Sequence, residues 1–208
     1  MEVLETLPLE ECAILIDTEC PVAHIENVNW PEVAAYAPRC TVKGAYTSKH
    51  IFIHFAVEDE EDIRAVNSTN LSPVADDSCV EFFLSVPGSK EYWNFEFNCI
   101  GAVNASHRET RPNAIRLTDA EIASIKRHAS LGTEPFGEKE GTHRWTLTVA
   151  IPFSLIGYNP MVGIPFIMGN FYKCAGKSKH PHYLSWKPIK AEKPNFHLPE
   201  FFGTIILD

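Results

Sequence analysis

Apolar and polar residues alternate with a period of two along several short stretches of this chain. In His50-Ile51-Phe52-Ile53-His54-Phe55-Ala56-Val57, the side chains of Ile51, Ile53, Phe55 and Val57 share one face, the pattern of a half-buried strand. Residues 144–151 repeat it, with Trp145, Leu147, Val149 and Ile151 on one side. Residues 80–84, 93–99, 164–171 and 204–207 are dense in β-branched and aromatic side chains and predict further strands. Residues 12–16 and 41–46 are weaker strand candidates. Val86-Pro87-Gly88-Ser89 reads as a hairpin turn, and Ile156-Gly157-Tyr158-Asn159-Pro160 as another break. One segment is helical in pattern: Thr118-Asp119-Ala120-Glu121 has the form of a capping box, followed by Ile122 and Ile125.

Many short strands with turn signals between them predict a sandwich or barrel, and polar outer faces are the antiparallel habit. A parallel α/β sheet needs helical runs between its strands, which this pattern lacks. The expected fold is therefore all-β: an antiparallel β-sandwich, immunoglobulin- or jelly-roll-like, with one short helix and a single domain over residues 1–208.

Composition narrows the function. The 208 residues include 13 Phe, 6 Tyr and 4 Trp, enough for a packed core without metal or disulfide staples. A net charge of −9 disfavours nucleic acid or an anionic membrane as partner, since both need clustered Lys and Arg. No run approaches the ~18 apolar residues of a spanning helix. The start, Met1-Glu2-Val3-Leu4-Glu5-Thr6-Leu7, lacks the basic and apolar regions of a signal peptide, so the chain reads as cytoplasmic or as exported after loss of a leader. The six cysteines, at 12, 20, 40, 79, 99 and 174, form no C-x-x-C pair and read as reduced, structural thiols.

Catalytic motifs are missing: there is no G-x-S-x-G elbow, no H-E-x-x-H and no phosphate-cradling glycine loop. Asp76 and Asp77, close to Glu81, could serve as a general acid/base pair or ligate calcium. His180 and His182, near Cys174, are candidate transition-metal ligands. Sugar recognition has more support. A saccharide offers apolar C–H faces rimmed by hydroxyls, so its site needs an aromatic platform beside carboxylate, amide or ammonium groups. The last third of the chain supplies both, in Asn170-Phe171-Tyr172-Lys173, Trp186 and Asn195-Phe196-His197. Phe171 and Trp186, at strand positions, read as core. Phe196 lies in a polar loop between Pro194 and Pro199, where a ring more often faces outward.

Five segments in consistent order carry a family resemblance. They are Asp77-Ser78-Cys79-Val80-Glu81-Phe82-Phe83; Tyr92-Trp93-Asn94-Phe95-Glu96-Phe97-Asn98 with Gly101; Trp145-Thr146-Leu147-Thr148-Val149-Ala150-Ile151-Pro152; Gly169-Asn170-Phe171-Tyr172-Lys173; and Leu184-Ser185-Trp186 through Phe196-His197-Leu198-Pro199-Glu200-Phe201-Phe202-Gly203. Over roughly residues 10–207 the chain resembles the family 9 carbohydrate-binding modules, in particular their stand-alone Bacteroidetes-type branch. The resemblance implies a β-sandwich that binds glucans or related saccharides, at a chain end, without cleaving them. In the family two tryptophans clamp the terminal sugar. One of these positions falls at Phe196 here, the other near Val74-Ala75, where there is no aromatic residue. The family's strand glutamate matches Glu81 and the asparagine of the next strand matches Asn98, but the arginine two residues before it is Glu96.

The expected carbohydrate contacts are Glu81, Asn98, Lys173, Asn195, Phe196 and His197. Neither a catalytic residue nor a cofactor is expected, calcium being the one ion kept open. Two alternatives remain: a structural or protein-interaction sandwich that has lost sugar binding, and a hydrolase built on Asp76 and Asp77.

Overall fold

The computed structural model describes residues 1–162 and 164–207. Its strands, in chain order, are β1 (Val22–His24), β2 (Asn27–Val28), β3 (Arg39–Tyr46), β4 (His50–Ala65), β5 (Cys79–Ser85), β6 (Tyr92–Asn98), β7 (Val103–Arg108), β8 (Ile115–Arg116), β9 (Lys126–Ala129), β10 (Phe136–Pro152), β11 (Phe166–Cys174), β12 (Tyr183–Ser185) and β13 (Gly203–Ile206). Two sheets result, ordered β1-β3-β4-β10-β9 and β2-β12-β11-β5-β6-β7-β8, with β12 and β13 sharing one edge of β11. Every described strand pair is antiparallel. The expected sandwich is present.

Alternation decides which residues meet between the sheets. Ile51, Ile53, Phe55 and Val57 of β4 and Leu147, Val149 and Ile151 of β10 pack against Val80, Phe82 and Leu84 of β5, Phe95 and Phe97 of β6 and Phe171 of β11. Phe171 stacks on Phe82 at 4.7 Å and meets Phe55 edge-on at 6.1 Å, so its ring bridges the two layers. Burying aliphatic or aromatic side chains of this size contributes roughly 1.5–3 kcal/mol each.

The helix expected after Thr118 forms as α2 (Asp119–Ser124), and both halves of its capping box are made. A longer helix, α1 (Leu9–Glu19), corrects the strand expected at residues 12–16. Pro8 stands at its N-cap, and Glu10 and Glu11 in its first turn complement the helix dipole. Cys12 and Ile16, one helical turn apart, bury against Leu4, Phe52 and Ala150 on the outer face of the smaller sheet.

The inner face also encloses a charge. Lys173 follows Phe171 by two residues on β11 and so points between the sheets, fully buried. Its ammonium lies 2.9 Å from Glu60 Oε1 and 2.8 Å from His182 Nε2, while Trp145 Nε1 donates to Glu60 Oε2 at 2.6 Å. Burial alone would raise the Glu60 carboxyl, but the Lys173 ammonium holds it below its ordinary value. Burial would likewise lower Lys173, and Glu60 instead holds it above its ordinary value. Both partners are therefore charged, each because of the other.

Removing one member leaves an uncompensated charge in the core, and Lys173→Met is expected to lower the unfolding free energy by about 3–5 kcal/mol. Adding Glu60→Gln should recover part of that loss. Urea denaturation of the three proteins measures it, and a Lys173→Met cost under ~1 kcal/mol would contradict the assignment.

Candidate functional site

The outward-pointing residues of the larger sheet are Cys79, Glu81 and Phe83 on β5, Tyr92, Asn94, Glu96 and Asn98 on β6, and Asn170, Tyr172 and Cys174 on β11. They lie two apart, opposite in parity to the core residues. The face is thus part aromatic and part polar, and the segment between β12 and β13 covers it. With no ladder of its own for most of its length, that segment is held by side chains of β11 and of the residues after β2. Asn170 accepts from Lys187 N at 2.9 Å and donates to Lys187 O at 3.1 Å. Asn29 accepts from Ile189 N at 2.7 Å, and Trp30 Nε1 donates to Ala191 O at 2.7 Å. Tyr172 donates to Phe196 O at 3.2 Å, and its ring stacks on the Phe196 ring at 4.1 Å, nearly parallel at 10°.

Two glycines have close neighbours, Gly169 within its own sheet and Gly203 in the segment. A Cβ on Gly169 would stand 2.7 Å from Phe83 O of β5, and one on Gly203 would stand 2.6 Å from Lys187 Cε and 3.1 Å from the Trp186 ring. These residues pair with each other across β11 and β13.

Between this strap and the sheet lies a cleft of about 260 Å³. Glu81, Phe83 and Glu96 line it from the sheet, Asn195, Phe196 and His197 from the strap. Tyr183, Ala75, Cys174 and Arg111 complete the wall. The structure therefore brings together four of the six expected contacts: Glu81, Asn195, Phe196 and His197. Phe196 is half-buried, since Tyr172 covers one side of its ring.

Asn98 and Lys173 are placed elsewhere. Asn98 has the right facing but sits at the hairpin end of β6, fully buried, where its amide donates to Asn67 O at 2.7 Å and Asp77 Oδ2 at 3.1 Å and accepts from Ala102 N at 3.0 Å. Lys173 lies on the opposite face, in the core pair described above. Asp76 and Asp77 also fail to converge on a ligand. Asp77 is fully buried and receives Arg64 Nε, Asn67 N, Asn67 Nδ2 and Asn98 Nδ2, while Asp76 pairs at 2.8 Å with the exposed Lys177. Donors thus surround the Asp77 carboxylate, and the two aspartates engage different partners. His180 bonds Asp62 at 3.2 Å and His182 bonds Lys173, so neither joins Cys174 in a metal-ligand cluster.

Two carboxyl groups occupy the floor of the cleft. Glu81 and Glu96 are direct cross-strand partners. Burial pushes the Glu81 carboxyl well above its ordinary value, and Cys174 and Glu96 add to the rise. Burial also raises Glu96, against opposing pulls from the Asn104 amide and the Arg108 charge. Glu96 accepts from Asn94 and Asn104, each at 2.9 Å, and Glu81 Oε1 accepts from Cys174 Sγ at 3.1 Å. The rise favours the protonated form of Glu81, which relieves the like-charge conflict across the strands. Burial and the Arg108 and Arg111 charges push the His197 imidazole down to about 3. It is neutral and shares a 3.1 Å hydrogen bond with the Tyr92 hydroxyl. A neutral acid, a neutral imidazole, an amide and a guanidinium beside aromatic rings can give and accept hydrogen bonds without bringing a net anion to the floor.

Sequence reasoning missed Tyr183, Phe83 and Arg111, and treated Glu96 only as a departure from the family pattern. Phe83 could have been found from its parity with Glu81. Arg111 carried no signal: it reaches the cleft from the loop after β7, supplying a guanidinium where the strand position expected to hold one carries Glu96.

The Glu81 proton makes a pH-dependent prediction. Unfolded, the carboxyl ionises near its ordinary 4.5, whereas in the folded chain it resists ionisation, so it contributes full stability only below 4.5 and loses that contribution as pH rises toward the folded value. Glu81→Gln, permanently neutral, should match wild type near pH 4. It should become the more stable protein as pH rises, the gap opening by up to ~1.4 kcal/mol per pH unit until the folded-state value is reached. Chemical denaturation at pH 4, 6 and 8 reads this difference, and a gap that does not change with pH contradicts a protonated Glu81.

With this geometry in view, the family model for carbohydrate-binding family 9 matches residues 10–207. No curated protein matches the chain. A Bacteroides uniformis protein provisionally described as carbohydrate-binding, with a crystal structure at 2.70 Å, is 35% identical with a TM-score of 0.87, over 96% of this chain and 92% of that one. A family 9 module from Caldicellulosiruptor kristjanssonii in complex with glucose has 15% identity and a TM-score of 0.54, covering 93% of this chain and 86% of its own. Its complex with cellotriose gives 15% and 0.53, over 92% and 84%. At that identity the latter two speak for the fold alone. The extent of the family match and the Bacteroides uniformis relative establish that this chain belongs to carbohydrate-binding family 9.

Proposed function

We propose that this protein is a non-catalytic carbohydrate-binding module that takes the end of a glucan or related oligosaccharide in the cleft between the strap and the larger sheet. The observation that carries this is the convergence of Phe196, Tyr183, Glu81, Asn195 and Arg111 on one concave surface. The exposed part of Phe196, backed by Tyr172, offers a rigid apolar platform for a sugar's C–H face. Glu81, Asn195 and Arg111 offer a neutral donor, an amide and a guanidinium to the hydroxyls. The volume lies just below the ~300–1,000 Å³ of drug-sized ligand sites, which suits a terminal unit better than a long chain. A groove of about 340 Å³ at the open edge between the sheets is larger, but its wall is mainly aliphatic and lacks convergent polar groups.

A second reading is a sandwich that has turned to a structural or protein-interaction role. Ala75 lies in the cleft wall near the place where the family carries its other clamp tryptophan, leaving one platform ring where the family has two.

Titration calorimetry with glucose and cello-oligosaccharides, preceded by a glycan array, separates the two. Wild type is expected to bind at least one saccharide, and Phe196→Ala to weaken it by about ten-fold, equivalent to ~1.4 kcal/mol. Binding that survives Phe196→Ala combined with Glu81→Ala would place the sugar elsewhere. No binding to any saccharide would favour the interaction role.

A further inference from the structure

One cluster in the cleft wall is not explained by sugar recognition. Cys79 and Cys174 are direct cross-strand partners on β5 and β11, and Glu81 follows Cys79 by two residues on the same face. Cys174 Sγ lies 3.1 Å from Glu81 Oε1, Cys79 Sγ lies 4.0 Å from the same oxygen, and all three ligand atoms are within 4.8 Å of one another. All three residues are buried. Two thiols and a carboxyl are an unusual choice for the outer face of a strand pair, where packing alone would be satisfied by aliphatic side chains.

We propose that Cys79, Cys174 and Glu81 form a binding site for a zinc-type divalent ion in the wall of the cleft. The chemistry of the donors selects the ion. Two thiolates exclude calcium and magnesium, which take oxygen ligands, and favour the borderline-soft zinc ion. The geometry agrees. Ligand atoms ~2.0–2.3 Å from a tetrahedral zinc stand roughly 3.3–3.8 Å apart, a range that the 3.1 and 4.0 Å separations bracket. Side-chain shifts of well under ~1 Å would therefore close the triangle on a metal.

The triangle also has an open side. Glu81 and Cys174 both line the cleft, so three protein ligands would face inward and the fourth position would open toward solvent or a bound hydroxyl. Register fixes this arrangement: the pairing that sets Cys79 opposite Cys174 also sets Glu81 opposite Tyr172, which leaves Glu81 diagonal to Cys174. The two thiols and the Glu81 carboxyl give up their protons to solvent on binding.

The test needs no saccharide, so its result is separate from that of the calorimetry. Fully reduced, chelator-treated protein is titrated with Co²⁺ and then with Zn²⁺. The expected result is one Co²⁺ per chain, with a thiolate charge-transfer band and the visible bands of tetrahedral cobalt, both abolished by one equivalent of Zn²⁺. Cys79→Ser and Cys174→Ser should lose the charge-transfer intensity, and Cys20→Ser, remote and partly exposed, should retain it. Glu81→Gln, close to isosteric, guards against misfolding of the cysteine variants. It should keep native circular dichroism while weakening Co²⁺ by ten-fold or more, at least the ~10–100-fold that loss of a supporting outer-shell group costs. A reduced, folded wild type that shows no charge-transfer band, or a band that persists in both Cys79→Ser and Cys174→Ser, overturns the proposal.

Discussion

An irregular segment laid across a sheet must find hydrogen-bond partners outside any ladder, and this constraint organises the functional face of the molecule. The strap between β12 and β13 meets it through side chains that point outward from the larger sheet. Asn170 engages both the N–H and the carbonyl of Lys187, and Tyr172 takes the carbonyl of Phe196. Trp30, brought in from the segment after β2, takes Ala191. The Asn170 and Tyr172 contacts bind backbone to β11, so a loop acquires the positional accuracy of the sheet beneath it. Gly203 serves the same end, since a Cβ there would meet the Lys187 stem and the Trp186 ring. A cleft edged by such a strap is pre-organised, and a ligand entering it has little chain ordering left to oppose binding.

The same face explains the electrostatics of the cleft. Side chains that hold backbone must be polar, yet the strap removes them from water, so their charges are suppressed or neutralised. Glu81 is held protonated by burial, and His197 is held neutral by burial beside Arg108 and Arg111. On the other side of the sheet the answer is different: Lys173 and Glu60 stay ionised because each is the other's partner. A one-residue step along β11 separates the two regimes, Tyr172 facing the cleft and Lys173 the core.

That step shows how far the sequence could be read. Alternation in residues 50–57 and 144–151 was enough to find the sandwich, because a period of two with a buried face leaves few architectures open. Phe196 was legible from the prolines and polar residues around it, and Glu81 from the family resemblance. Lys173 shares the parity of Phe171, which the sequence already marked as core, and so belonged to the inner face. What the sequence did not offer is the pairing with Glu60 and His182, 113 and 9 residues away in the chain, that makes a buried ammonium tolerable there. Asn98 shares its facing with Glu96 but lies at a strand end, where the turn to Ala102 claims its amide. The run at residues 12–16 suits a strand and a helix equally by periodicity, and packing of Cys12 and Ile16 against Phe52 decided it. The alternation read in the sequence covers residues 50–57. Strand β4 continues to Ala65, with positive φ at Asp59 (58°) and Asp62 (54°) where its register against β10 shifts. Tyr183 and Arg111 join the cleft only through tertiary placement.

Amide chemical-shift mapping by NMR tests most directly the proposal that the strap and the sheet together make a saccharide site. On titration with a cello-oligosaccharide, the account predicts that the largest shifts fall at residues 194–197 of the strap and at Glu81, Phe83 and Glu96 of the sheet, moving together along one binding curve. Shifts confined to the opposite sheet, around Arg39, His54 and Ser130, with the strap unmoved, would contradict it.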